Sequence, residues 1–125
     1  MTQMQELYKC KICDNVVEVL HNGAGILSCC NESMKLLEEH IPNPENAHYS
    51  HIEHLDELTK KISFNHPMTK EHHIEFIEVI SNDGKYLKRK NLSVNEPCEL
   101  IFDCQCKEGF YVRLYCNLDG LWVTK

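Results

Sequence analysis

The 125-residue chain contains no run near the roughly 20 apolar residues of a membrane helix, so no membrane span is expected. It also lacks an excess of positive charge. Thirteen Lys and Arg stand against 19 Asp and Glu, a formal net charge of −6. With a pI near 5.7, that balance argues against nucleic acid as the main partner. The first residues, Met1-Thr2-Gln3-Met4-Gln5-Glu6, do not read as a signal peptide, and the expectation is a soluble, cytoplasmic protein. Internal repeats and low-complexity tracts are missing too, which excludes a repeat architecture.

Cysteine and histidine, by contrast, are abundant, with eight of each. Without a secretory signal, such cysteine density means metal or redox chemistry more often than a disulfide framework. Four of the cysteines fall in the first thirty residues, as Cys10-Lys-Ile-Cys13, fifteen residues, then Cys29-Cys30. Four thiolates are what a tetrahedral iron or zinc requires. The adjacent pair is unusual, because two Cα atoms about 3.8 Å apart must turn both sulfurs onto one metal. A segment shorter than about 40 residues needs such a staple to fold. Cys98, Cys104 and Cys106 lie in an apolar, strand-like run and read as buried structural thiols.

Residues 7–37 read as one compact unit. A β-prone run over 16–20, turn chemistry at Asn22-Gly-Ala-Gly25 and a return strand over 26–28 form a hairpin. The first cysteine pair then precedes that hairpin and the second closes it. The Pro- and Asn-rich residues 41–46 read as a linker or extended loop. Beyond them the pattern is β. A strand over 73–80 meets the turn Asn82-Asp83-Gly84, and strands over 100–106 and 110–115 pair around Lys107-Glu108-Gly109. Phe110, Val112 and Leu114 alternate with Tyr111, Arg113 and Tyr115, as in a half-buried strand. Short strands at this spacing suggest a β-sandwich. One segment dissents: Ile52, Leu55, Leu58 and Ile62 lie near helical spacing, so residues 50–62 read locally as an amphipathic helix.

The histidines form a second constellation. His21 and His40 stand alone, His48, His51 and His54 cluster, and His66 and the pair His72-His73 follow. Late in the chain Cys116-Asn-Leu-Asp-Gly120 is a tight turn that can present a thiolate and a carboxylate together. By spacing alone, a metal site and scattered surface histidines are equally good readings.

Tyr8-Lys-Cys-Lys-Ile-Cys-Asp-Asn15, Val17-Glu-Val-Leu-His21, Cys29-Cys30 and Met34-Lys-Leu-Leu37 resemble the N-terminal desulforedoxin-type domain of desulfoferrodoxin. His66-Pro-Met-Thr69, Glu71-His72, Ile74-Glu-Phe-Ile-Glu78 and Tyr115-Cys-Asn-Leu-Asp-Gly-Leu-Trp122 resemble that family's second domain. The resemblance covers nearly the whole chain. It implies an all-β protein of the superoxide reductase family with two iron sites. Residues 1–38 correspond to a small, metal-stapled desulforedoxin-like domain, and residues 39–125 to an immunoglobulin-like β-sandwich. The implied ligands are Cys10, Cys13, Cys29 and Cys30 for the first iron, and His48, His66, His72 and axial Cys116 for the second. It also makes residues 50–62 a pair of strands, a reading preferred over the local helical pattern because tertiary context overrides short-range propensity.

The implied activity is reduction of superoxide to hydrogen peroxide at the second iron, with the four-cysteine iron relaying electrons. A rubredoxin-like protein or a reductase is the implied electron donor, and a homodimer the implied assembly. Two departures bear on this. Asp119 stands where the family carries its fourth histidine, and Asn46-Ala47 where it carries Glu-Lys. Asp119 can still ligate iron, but its charge favours the ferric state and opposes an incoming anion. Ala47 removes a steering cation. Glu45 is a candidate replacement for the missing glutamate, and His51, His54 and His73 are candidates for the missing ligand. His73 is the weakest of them, since strand neighbours face opposite ways. The resulting expectation is a superoxide reductase of reduced activity. The alternatives are an electron-transfer protein with a degenerate second site and a zinc-stabilised structural module.

Overall fold

The computed structural model describes residues 1–104 and 106–125, and every regular element among them is a strand. The chain divides into two compact units, Met1–Glu38 and Glu39–Lys125.

In the first unit, β1 (Leu7–Lys9) pairs antiparallel with β2 (Val16–Glu18). The short strands β3 (Ser28–Cys29) and β4 (Glu32–Ser33) form a hairpin of their own. Strand β5 (Lys35–Leu36) returns to the other side of β1. The expected pairing of residues 16–20 with 26–28 is therefore corrected: each cysteine pair belongs to its own hairpin, Cys10 and Cys13 between β1 and β2, Cys29 at the end of β3 and Cys30 in the turn that follows it. Leu7, Cys10 and Val19 are this unit's buried apolar residues, a core too small to order a segment of this size by burial alone.

The second unit is a two-sheet sandwich. Strands β6 (Glu39–His40), β9 (Ile74–Ser81), β10 (Leu87–Asn91), β12 (Phe110–Cys116) and β13 (Gly120–Thr124) form one sheet, in the order β10-β9-β12-β13-β6. Strands β7 (His51–His54), β8 (Thr59–Ser63) and β11 (Glu99–Asp103) form the other, in the order β11-β8-β7. All pairings are antiparallel except β13 with β6. The fold is thus all-β and sandwich-like, as the alternating patterns predicted. Ile62, Leu100 and Phe102 from one sheet meet Ile77, Val79, Val112 and Leu114 from the other in a single buried cluster.

Residues 50–62 are the hairpin β7–β8, the pair of strands preferred above over the helical spacing, in which Ile52 faces Ile62 across the pair. Two local expectations are revised. The runs around 100–106 and 110–115 do not pair with each other. β11 joins β8 while β12 joins β9 and β13, so the chain changes sheets between them. Of the three late cysteines only Cys98 is buried, and Cys104 and Cys106, both half-buried, are joined as a disulfide.

Two polar arrangements complete the sandwich. Glu78 is fully buried on β9 and paired on both sides, with Arg113 Nε of β12 at 2.5 Å and Arg89 Nη1 of β10 at 3.4 Å. On edge strand β10, the Lys88 ammonium donates to the Ile101 carbonyl of edge strand β11 (2.7 Å) and Lys90 to that of Glu99 (3.4 Å). The two sheets are so tied along one open side.

Candidate metal centres

The four-cysteine group is built by its turns. Asp14, Cys30 and Asn31 adopt left-handed backbone conformations, with φ of 66°, 53° and 62°. That departure at Cys30 is how two adjacent residues bring both sulfurs to one side, a conformation non-glycine residues rarely adopt. Cys13 Sγ lies 3.5 Å from Cys29 Sγ, which is 3.9 Å from Cys30 Sγ. All four sulfurs fall within 4.8 Å of one another. A tetrahedral metal with bonds of about 2.3 Å needs sulfurs about 3.8 Å apart, so the cage fits such an ion. The backbone N–H groups of Cys13 and Ile12 lower the Cys10 thiol to about 7. Close packing against Cys13 and Cys29 raises Cys30 to about 12. An electropositive ion has to deprotonate such a set to occupy it.

The second group assembles His48, His66, His72, Cys116 and Asp119, whose ligand atoms also lie within 4.8 Å of one another. His48 Nε2 is 3.1 Å from His66 Nε2 and 3.3 Å from Asp119 Oδ2, and that oxygen is 3.0 Å from His72 Nε2. Metal–nitrogen bonds of about 2.1 Å put neighbouring corners of a square about 3.0 Å apart. The order His66, His48, Asp119, His72 therefore follows three edges of such a square, with Asp119 at the corner between His48 and His72. Cys116 Sγ is 3.4 Å from His66 Nε2 and 3.6 Å from Asp119 Oδ2. Those are diagonal corners, which puts the sulfur near the axis.

These donors come from distant segments held by specific contacts. The pairing of β12 with β9 shifts register at Tyr115/Cys116, a bulge of the kind that re-aims a side chain. Cys116 points into the core and is fully buried. The turn after it closes through Gly120, whose φ of +82° suits glycine. Asn117 clasps the histidine segment: its Oδ1 accepts the His73 N–H (2.8 Å) and its Nδ2 donates to the Glu71 carbonyl (3.0 Å). Thr69 Oγ1 accepts the His72 N–H (3.1 Å), fixing the approach of that ring. His48 and His66 direct Nδ1 away from the group, to Asn46 Oδ1 and the Pro67 carbonyl, each at 2.7 Å. Their Nε2 atoms are thereby left for a metal.

Burial dominates the electrostatics. It lowers His48 to about 4, with His66 adding to the effect, and it lowers His66 as well. Both rings are therefore neutral and able to donate at pH 7. Burial raises the Cys116 thiol against the pull of the Asp119 and Leu118 N–H groups. Burial raises the Asp119 carboxyl, but hydrogen bonds from His72 and Cys116, with the nearby His48 and His72 charges, together hold it below the usual range. His48, His66 and Cys116 are buried, His72 is half-buried and Asp119 is exposed, so the group opens to solvent on the Asp119 side.

Other candidates fall elsewhere. Glu45, His51 and His54 are exposed and outside the group. The His73 Nδ1 bonds the Thr69 carbonyl instead (2.9 Å). His40 does not stand alone: its ring lies 5.0 Å from that of Trp122. The supporting roles of Asn46, Asn117 and Trp122 were not read from the sequence. The Asn-Leu-Asp-Gly turn was the one signal pointing toward Asn117.

A family model described as "Desulfoferrodoxin, N-terminal domain" matches residues 2–37, and one described as "Desulfoferrodoxin" matches residues 32–125. The chain belongs to the desulfoferrodoxin family. It is 41% identical to the desulfoferrodoxin of Syntrophotalea carbinolica, over 100% of this chain and 99% of that one. It is 38% identical to a desulfoferrodoxin homolog of Methanothermobacter thermautotrophicus, over 98% and 99%. The superoxide reductase of Treponema pallidum has the same fold, with a TM-score of 0.74 and 22% identity over 96% and 97% of the two chains. Desulfoferrodoxins bind iron, and both donor sets suit it: four thiolates in one, imidazoles with a thiolate and a carboxylate in the other.

Proposed function

We propose that this desulfoferrodoxin reduces superoxide to hydrogen peroxide in the cytoplasm, using the second unit as the reaction site and the first as an electron relay. The observation that carries this reading is the square of His48, His66, His72 and Asp119 with Cys116 on its axis. Iron held there would supply one electron to superoxide, with two protons completing the product. His48, His66, His72, Asp119 and Cys116 would hold it, the Cys116 thiolate lending it electron density. Its buried setting excludes water from the sulfur. Cys10, Cys13, Cys29 and Cys30 hold the other iron in a closed shell, which has no free position for a substrate. Glu45, exposed and three residues before His48 in the sequence, is the proposed capping carboxylate. A rubredoxin-like protein or a reductase is the donor class, and a homodimer the assembly.

Asp119 supports one further detail, a lowered rate. A carboxylate at the fourth corner favours the ferric state and repels the anionic substrate, and Ala47 supplies no compensating cation. The second reading, electron transfer alone, draws on the same residue.

The test is a pulse of superoxide on the anaerobic, pre-reduced protein. One peroxide formed per superoxide consumed, with loss of the reaction in Cys116→Ser, is the expected result. Half that yield, which is dismutation, or no reaction above background overturns the proposal.

A further inference from the structure

Trp122 is the chain's one tryptophan. It lies on β13, half-buried against the sandwich core. Its ring is parallel to the His48 imidazole, with centroids 4.4 Å apart and an interplanar angle of 1°. Its indole N–H donates to the Asp119 carbonyl at 3.0 Å. The same side chain therefore touches two corners of the square, and those corners come from opposite ends of the second unit.

We propose that Trp122 is a positioning residue for the second metal site, holding the ring plane of His48 by stacking and the Asp119 turn by its indole N–H. The proposal rests on reading His48 and Asp119 as ligands. The bond from His48 Nδ1 to Asn46 Oδ1 fixes one edge of the imidazole but leaves the ring free to swing about that contact. A flat neighbour in parallel contact removes that freedom. Asp119 has the opposite difficulty: its side chain is 42% exposed and sits on a turn. Anchoring its carbonyl keeps Oδ2 within 3.0 and 3.3 Å of the His72 and His48 nitrogens. A role confined to core packing makes a different prediction. Loss of the indole then lowers stability and leaves the metal properties of the folded protein unchanged.

The experiment compares the iron-loaded full-length chain with Trp122→Phe and Trp122→Leu. Phenylalanine keeps a flat ring for the stack and loses the N–H, while leucine loses both. Groups that orient metal ligands change affinity by about 10- to 100-fold. Trp122→Leu is expected to weaken iron binding at the second site by about that factor. It should also shift that site's ferric electron paramagnetic resonance and sulfur-to-iron absorption. The four-cysteine iron is the internal control and stays unchanged. Trp122→Phe should fall between Leu and wild type in both readouts. In the wild type, tryptophan fluorescence should be quenched as iron enters the second site. Both variants binding iron with wild-type affinity and spectra overturns the proposal while the metal-site reading stands. A wild-type chain that takes up iron only at the four cysteines overturns both.

Discussion

Asp119→His puts a neutral donor where the proposed site has a carboxylate. The carboxylate oxygen it removes lies 3.0 Å from His72 Nε2 and 3.3 Å from His48 Nε2, on the solvent-facing side of the group. A superoxide anion that approaches the proposed open face to about 4 Å from that charge would be repelled by it. At this range two unit negative charges repel by about 1 kcal/mol in water and about 4 kcal/mol at an effective dielectric near 20. The exposure of Asp119 places the site toward the wet end, at about 1–2 kcal/mol. That corresponds to an acceleration of about 5- to 30-fold. The assay is the second-order rate constant of the pre-reduced protein with superoxide, by pulse radiolysis. The reduction potential of the second iron is measured beside it and should rise, because a neutral donor favours Fe(III) less. A variant rate within a factor of two of wild type, at unchanged potential, refutes the argument from charge.

Two further outcomes follow from burial. In the metal-free chain, His48 titrates near 4 instead of 6.5 because it is buried. The folded state thus binds fewer protons than the unfolded one between those values. Its stability, full above pH 6.5, should fall by about 2–3 kcal/mol as the pH drops toward 4, and a flat urea midpoint over that window contradicts it. Glu78→Gln removes the buried carboxylate charge that pairs with Arg113 and Arg89 and should destabilise the protein by about 3–5 kcal/mol. A companion Arg113→Met should recover part of the loss, and a double variant no better than the single one rules out the ion-pair explanation.

The four-cysteine cage was legible because all its ligands sit in or beside hairpin turns within thirty residues, where spacing reports geometry. The left-handed Cys30 that makes the adjacent pair workable was not, since a backbone torsion leaves no mark on a cysteine. Strand β12 was legible through the alternation of Phe110, Val112 and Leu114 with Tyr111, Arg113 and Tyr115. Its partners were not, because local pattern says nothing about which sheet a strand joins. The helical spacing of Ile52, Leu55, Leu58 and Ile62 arose from a hairpin. Ile52 and Ile62 pair across it, and Leu55 and Leu58 stand exposed around its turn. The motif resemblance supplied His48, His66, His72 and Cys116 as a set, and the fold brings them together with Asp119. Trp122 escaped notice because its stack on His48 is a contact across the fold, and Asn46 because a side-chain bond two residues along leaves no mark in the sequence pattern.

The lysines that join β10 to β11 have a consequence for the protein's behaviour at high concentration. Both strands are sheet edges, and an exposed edge is a template on which another chain can add a strand and begin to aggregate. Here the Ile101 and Glu99 carbonyls, which such a strand would have to bond, are already taken by Lys88 and Lys90. An intruding strand would have to displace two ammonium groups and bury their charge. The tie that closes one side of the sandwich therefore also guards that border.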